Sequence, residues 1–341
     1  MAILTINRGS SSVKVSLYDE GERRFFDDAG ENTLEQIVRR VPRQKIEAIG
    51  HRIVHGGPKY LEPVLITERV LEDLNNLIPF DPLHLPPQLE GVEIVQKLFP
   101  DVPQVACFDT SFHRTIPEVA KTLAIPHSYY EEGIYRYGFH GLSYEYILYK
   151  LGNPKGRLII AHLGSGASMA AVKEGKCIDT TMAFTSASGL VMSTRSGDLD
   201  PGLLLYLESE RGISVEDLRM MINRESGMKG ISMMTGDMKA LLKSDHALAK
   251  LAVEIFCYQA RKYIGALAAA LGGVDTLIFT GGIGENSRLI RDKICQGIEF
   301  LGIKNIQTIR TDEEFMIALH TNQLISKETS HGQYLNGRAA R

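Results

Sequence analysis

The sequence predicts an α/β protein made of two related halves. Three observations carry that prediction. Strand-like apolar runs alternate with helix-like stretches along most of the chain. The segment Ile3 to Tyr18 is echoed about 155 residues later by Ile159 to Val172. Each is a short apolar run, a polar residue, a Gly/Ser turn and a second alternating strand, so Asn7 matches His162, Gly9 matches Gly164 and Ser10 matches Ser165. Lastly, the Gly/Pro-bearing stretch 150–156 offers a boundary, dividing residues 1–150 from 151–314.

In the first half the strand pair covers 2–19. Asn32, with Glu35 three residues on, predicts a helix over 33–41. Lys45–Ile53 reads as a strand running into His51-Arg-Ile-Val-His-Gly-Gly57. Thr67 caps a helix over 68–78, and Pro86-Pro87 opens one over 87–98. Val102–Phe108 is a strand that delivers Asp109 to its carboxyl end, where α/β sheets carry functional groups. Ser143 caps a helix that runs to Gly152.

In the second half strands are expected at 157–163, 168–173 and 176–180. Asp200 and Pro201 open a helix, and Ser214 with Asp217 forms a capping box. Residues 246–271 form a long helix with the stripe Leu248, Leu251, Ile255, Tyr258, Ala266 and Ala270. Val274–Thr280 is a buried strand, followed by the Gly281–Ser287 turn and a helix. The tail beyond about 326 is polar and reads as frayed.

Composition narrows the function. The chain has 341 residues, 44% of them hydrophobic, and a net charge of −3, which gives no nucleic-acid surface. No apolar run reaches membrane-spanning length. The amino terminus goes straight into a strand, with no leader pattern. Cys107, Cys177, Cys257 and Cys295 form no C-x-x-C pair, so each reads as a small buried hydrophobe in a reducing cytoplasm. The ten His residues show no metal spacing, which argues against zinc.

Two Gly/Ser hairpins offer backbone N–H groups and hydroxyls to an anion, and together they suggest a polyphosphate ligand. Arg52 and Arg195 both lie in Gly-bearing loops rather than on a solvated helix face, where a guanidinium fork meets carboxylates or phosphates. His140 lies between Gly138 and Gly141 in Tyr137-Gly-Phe-His-Gly141. The Gly281–Ser287 turn is an imperfect dinucleotide fingerprint and suits an adenosine group equally well. Glu313 and Glu314 alone read as a helix start. Phosphoryl transfer needs this inventory: donors and cations around the moving group, a divalent metal, and alignment.

Taken in order, Ile6-Asn-Arg-Gly-Ser-Ser-Ser-Val-Lys14, Gly50–Gly57, Phe108–His113, Tyr137–Gly141, His162–Ser168, Thr194–Pro201, Thr280–Asn286 and Thr311–Glu314 resemble the acetate kinase family, within the acetate and sugar kinase, heat-shock chaperone and actin superfamily. The resemblance spans nearly the whole chain. It implies two ribonuclease-H-like domains of duplicated βββαβαβα type with an active-site cleft between them, residues 315–341 packing back on the first. It implies phosphoryl transfer from ATP to a short carboxylate with Mg²⁺ or Mn²⁺, and a homodimer.

By position, Asn7 and Glu313 would hold the metal. Asp109, Arg195 and His140 would be catalytic. Arg52, Val54, Leu83, Phe139 and Ser186 would bind the acid. Ser10, Ser12, Lys14, His162, Gly164, Ser165, Gly166, Asp237, Met238, Lys239, Gly282, Ile283, Gly284, Glu285 and Asn286 would bind ATP. A carboxylic acid is already ionised at neutral pH, so Asp109 is expected to orient Arg52 or a metal-bound water rather than remove a proton. The chain departs from the family pattern in a deficit between Asp19 and Lys45, in Ser165 for Asn and Lys239 for Arg, and in Ser186 and Ser188 for Pro and Glu. Propionate or butyrate as the acid, a non-catalytic nucleotide switch, and a nicotinamide-linked dehydrogenase are the competing readings.

Overall fold

The computed structural model describes residues 1–9, 13–28, 33–41 and 46–339, with side chains through 328. The strands are β1 (Ala2–Arg8), β2 (Val13–Asp19), β3 (Glu22–Asp28), β4 (Ile46–Ile53), β5 (Val64–Leu65), β6 (Gln104–Phe108), β7 (Arg157–Leu163), β8 (Ala167–Lys173), β9 (Lys176–Thr180), β10 (Thr276–Thr280) and β11 (Asn305–Thr308). The helices are α1 (Leu34–Arg40), α2 (Glu68–Asn76), α3 (Leu85–Leu98), α4 (Glu118–Lys121), α5 (Ser128–Glu131), α6 (Gly141–Lys150), α7 (Pro201–Arg211), α8 (Val215–Met220), α9 (Gly227–Ser232), α10 (Met238–Lys243), α11 (Ala247–Leu271), α12 (Gly281–Asn286), α13 (Arg288–Cys295) and α14 (Glu313–Ala339). A π-helical turn covers Met221–Glu225. The chain forms two compact units. One is Met1–Phe112, Gly141–Tyr146 and Asp312–Arg341; the other is His113–His140 and Ile147–Thr311.

The first unit holds a six-stranded sheet in the order β3-β2-β1-β4-β6-β5. β1 pairs antiparallel with β2 and parallel with β4, and β4 pairs parallel with β6. Every residue of β6 is buried, as a strand covered on both faces requires. One face of the sheet carries Leu4, Ile6, Val15, Leu17 and Ile49 against Ile37 and Val38 of α1 and Val95 of α3. Another core joins Val105 and Cys107 of β6 to Met316 and Ile317 of α14. Full burial of each large aliphatic side chain is worth about 1.5–3 kcal/mol. The approach of α14 to β4 is close: a Cβ at Gly50 would overlap Thr321 Oγ1 and lie 2.6 Å from Ile317 Cγ2. Glycine is therefore required there by space.

The second unit holds a five-stranded sheet in the order β11-β10-β7-β8-β9. β7, β8 and β9 form an antiparallel meander, and β10 and β11 add in parallel. Strand for strand this repeats β1, β2, β3, β4 and β6. α11 lies against β8 and α9 and buries Ala249, Ala252, Phe256, Ala260, Ile264 and Leu267.

Several expectations need correction. The cap of α1 is Thr33, whose hydroxyl accepts from Gln36 N in a capping box with Gln36; Asn32 lies outside the described residues, as does Lys45. α3 starts at Leu85, two residues early, and α6 starts at Gly141, so Ser143 is interior and not a cap. The stripe expected on α11 is misplaced: Leu251 and Tyr258 are exposed at 46% and 59%. The buried face instead carries Ala252, Val253, Phe256, Cys257, Ala260, Ile264 and Leu267. The Gly281–Ser287 turn is a short helix, α12. The backbone of α14 remains helical past residue 326, where fraying was expected. Thr67, Asp200 and Ser214 cap as expected. The described cysteines are free thiols; Cys295 is only half-buried, the other three are buried.

Candidate active site

In the first unit the carboxyl ends of β1, β4 and β6 and the start of α14 bring five polar residues together. Arg52 is the penultimate residue of β4, and Asp109 follows β6, its neighbour in the sheet. Arg52 Nε donates to both Asp109 oxygens at 3.1 and 3.0 Å, and Nη2 donates to Oδ2 at 2.5 Å. Arg52 Nη1 donates to Asn7 Oδ1 at 3.4 Å. A guanidinium has five N–H donors. Three are used here, which leaves one on each Nη without a partner among the described residues.

Asn7 is 4% exposed, and its Nδ2 donates to Glu313 Oε2 at 2.9 Å and to Glu314 Oε1 at 2.7 Å. Lys14 Nζ lies 3.8 Å from Glu314 Oε1. Burial pushes the Glu314 carboxyl above the usual carboxylate range, against the pull of Lys14. Burial also raises Asp109, opposed by Arg52, while desolvation of Arg52 is outweighed by Asp109 and Glu313, which hold it above the usual guanidinium range. A guanidinium stays protonated in proteins, so the doubly bonded Asp109 carboxylate stays ionised beside it. The Arg52 side chain is 12% exposed, so this is no surface ion pair.

In the second unit the β7–β8 hairpin and two loops converge. His140 precedes α6 in a left-handed conformation, φ 60° and ψ 24°, and its side chain does not cap that helix. Its ring stacks on His162 at 4.4 Å between centroids, and its Nδ1 lies 2.8 Å from Ser168 Oγ. The other nitrogen, Nε2, faces Gly166, and Arg195 Nη2 faces the same glycine. A Cβ at Gly166 would sit 3.1 Å from the first and 3.2 Å from the second. Arg195, only 8% exposed, is fixed by Nη1 donating to Ser186 O at 2.8 Å. The π-helical turn holds the backbone of the same loop: Ser196 N donates to Ile222 O, and Thr194 Oγ1 donates to Asn223 O. Such turns recur at functional sites.

A separate cavity of about 740 Å³ in the second unit is lined by Gly164, Ser165, Asp237, Met238, Lys239, Gly282, Ile283 and Asn286. All eight were expected to bind a nucleotide. Ser193, Thr235, Gly236, Leu242, Lys243 and Ser287 also line it. Two expected neighbours do other work. Glu285 turns its Oε1 back to accept from Gly281 N at 3.0 Å and Thr311 N at 2.9 Å. Gly284 is buried and packs on Ala161, Leu163 and Phe279.

The structure thus assembles Asn7, Arg52, Asp109 and Glu313 in one unit, and His140, His162, Gly166, Arg195 and Ser186 in the other. Lys14 is engaged with Glu314. Val54 is buried and Leu83 half-buried in the first unit; Phe139 and Ser186 are buried in the second. Ser10 and Ser12 lie outside the described residues. Sequence reasoning passed over Glu314 and Ser168. Adjacency to Glu313 and a place inside the His162–Ser168 motif were the available signals. The pocket residues Thr235 and Gly236 were legible as a Gly-bearing loop ahead of α10.

A family model described as the acetokinase family matches residues 27–335. An acetate kinase of Methylocella silvestris is 39% identical over 95% of this chain and 98% of its own length. One of Thermotoga maritima is 40% identical over 96% and 99%. These alignments run over 396 and 401 positions, so the relatives carry residues that this chain of 341 lacks. Among solved structures, an acetate kinase of Porphyromonas gingivalis matches with TM-score 0.82 at 34% identity, over 95% of this chain and 99% of that one. A propionate kinase from Francisella tularensis matches with TM-score 0.86 at 35% identity, over 94% and 99%.

Proposed function

The chain belongs to the acetokinase family, and on that premise we propose that it transfers the γ-phosphoryl group of ATP to acetate, giving acetyl phosphate and ADP. The observation that carries the reading is the meeting of His140 Nε2 and Arg195 Nη2 over Gly166 of the β7–β8 hairpin. An imidazole and a guanidinium nitrogen brought close to one backbone position, which only glycine leaves room for, suit a moving phosphoryl group.

The two unspent donors of Arg52 form the end of a guanidinium fork. They bind the acetate carboxylate in two-pronged fashion, while Asp109 holds the fork's other edge. One acetate oxygen forms the new bond to the γ-phosphorus as the bond to the bridging oxygen of ADP breaks. Acetate arrives ionised, so no proton has to be removed, and Asp109 acts by orienting Arg52. His140 and Arg195 stabilise charge on the transferring group. Val54 and Leu83 of the first unit, and Phe139 and Ser186 of the second, are the side chains we assign to the methyl of the acid. The 740 Å³ cavity receives the nucleoside, with Gly282 and Ile283 against the adenosine and Lys239 beside it.

The family uses a divalent metal, and the donor set here is tested by its chemistry. Asn7, Glu313 and Glu314 offer hard oxygen donors, which suit Mg²⁺ or Mn²⁺. Among the described residues no three His, Cys, Asp or Glu side chains gather closely enough to hold a metal alone. That fits an ion bound through one or two carboxylates and the substrate's own phosphates. When bound, the ion neutralises charge on the β- and γ-phosphates.

We also place the protein in the cytoplasm as a homodimer. Among the described residues no helix is long and apolar enough to cross a membrane. α7 buries none of its residues and leaves Leu203, Leu205 and Tyr206 exposed, apolar surface that a second copy would cover; light scattering that gives a monomer mass removes that statement.

The test is hydroxylamine trapping of acyl phosphate with ATP over acetate, propionate and butyrate, with and without Mg²⁺. We expect Mg²⁺-dependent product with acetate preferred over propionate. A single methylene is worth only about 1–3 kcal/mol of discrimination. Propionate is the second reading, favoured by the propionate kinase likeness, and a higher kcat/KM for it decides that way. Nucleotide binding with no product from any acid would leave the switch.

A further inference from the structure

We propose that Ser168 sets the orientation and tautomer of His140 and is a positioning residue for phosphoryl transfer. The inference rests on the reading that His140 acts on the transferring group. An imidazole serves there only if the nitrogen it presents is fixed, and that is set by what the other nitrogen bonds.

The geometry of the hairpin supplies this. Ser168 stands directly across from His162 in the β7–β8 register, so both side chains leave the same face of the sheet. The two act on one ring. His162 stacks against the His140 imidazole, and Ser168 Oγ meets its Nδ1 at 2.8 Å. The ring is thereby held by a face and by an edge, and Nε2 is left directed at Gly166, beside Arg195 Nη2. Ser168 is fully buried, in the body of β8 and behind the ring, which suits a residue that acts on His140 rather than on the phosphate.

A hydroxyl is suited to this position because it both donates and accepts. When His140 is neutral with Nε2 protonated, the Ser168 hydroxyl donates to the bare Nδ1. When the ring is an imidazolium, the same oxygen accepts from Nδ1–H. In both states Nε2–H points at Gly166. Alanine can do neither, and threonine can do both.

The experiment compares wild type with Ser168→Ala and Ser168→Thr. It measures kcat, both KM values, the melting temperature, and the ring ¹⁵N shifts of His140 in histidine-labelled protein, assigned with His140→Gln. Ser168→Ala should lower kcat about 10- to 100-fold. The KM values for ATP and acetate should stay within about threefold, and Nδ1 and Nε2 should show mixed tautomers. Ser168→Thr should recover most of kcat and the single tautomer. An alanine variant with kcat within twofold of wild type overturns the proposal. So does a loss of kcat that threonine fails to recover, or one that comes with an unchanged His140 tautomer. A wild-type protein that makes no acyl phosphate from any acid removes the reaction reading instead, while the ¹⁵N spectra still test the hold of Ser168 on the ring.

Discussion

The β1–β2 and β7–β8 hairpins occupy the same place in two sheets of matching topology, yet they hold opposite chemistry. In the first, Asn7 stands across from Lys14, and that rung binds the carboxylates of Glu313 and Glu314. In the second, His162 stands across from Ser168, and that rung binds the ring of His140. The loop closing the first hairpin is one residue longer, since Arg8 pairs with Val13 but Leu163 with Ala167. One rung meets carboxylate oxygens and the other meets an imidazole. In the proposed reaction the first would serve a cation and the second an anion.

The sharpest way to break this contrast is to remove one side at a time. Arg195→Gln should lower kcat about 10³-fold, because it removes charge stabilisation at the moving group. Acetate KM should change little; a rise in KM at constant kcat would move Arg195 to the acid-binding side. Arg52→Lys should lower kcat/KM for acetate about 10²-fold, mainly through KM, because a lysine keeps the charge and loses the fork. Initial rates over an acetate series read this directly. Asp109→Asn should cost about 30-fold and raise acetate KM, since the amide cannot accept from both Nε and Nη2 of Arg52. A collapse of kcat at unchanged KM would instead make Asp109 act on the reacting atoms.

The smallest effect is on stability, and it touches both units. His51 and His55 in the first and His113 in the second are lowered to about 4 by burial. The unfolded chain takes up these protons below about 6.5, whereas the fold resists until about 4. The unfolded state therefore binds more protons inside that window, and stability rises with pH across it. Melting temperature should fall as pH drops from 6.5 toward 4. Calorimetry that shows a flat profile over that range would place these rings in contact with water.

Much of the scaffold was legible because its signals are local. Thr67, Asp200 and Ser214 announce their helices, and the echo of Ile3–Tyr18 in Ile159–Val172 announces the duplication. β3 was missed because Glu22-Arg-Arg-Phe-Phe-Asp-Asp28 carries charges at both ends, as an edge strand does to avoid further pairing. The face of α11 was misjudged because Leu251 and Tyr258 are apolar yet stand on the exposed side with Lys250, Glu254 and Lys262. The site shows the same division. Arg52 lies near the end of β4 and Asp109 follows the neighbouring β6, so the topology of an α/β sheet brings them together. Asn7 and Glu313 are 306 residues apart, and no local pattern joins them; only the resemblance did. Ser168 was invisible as an actor because a serine inside a strand carries no signal until its partner is seen.

That separation has a consequence for how the protein comes into being. The acids that meet Asn7 sit at the head of α14, the last helix, which seats itself on the glycine of β4. A ribosome lays down the opening sheet early and α14 late. Until α14 docks, Asn7 lacks both carboxylates that its amide holds in the folded chain. A fragment that stops short of α14 would keep the pairing of Arg52 with Asp109 and lose those two acids.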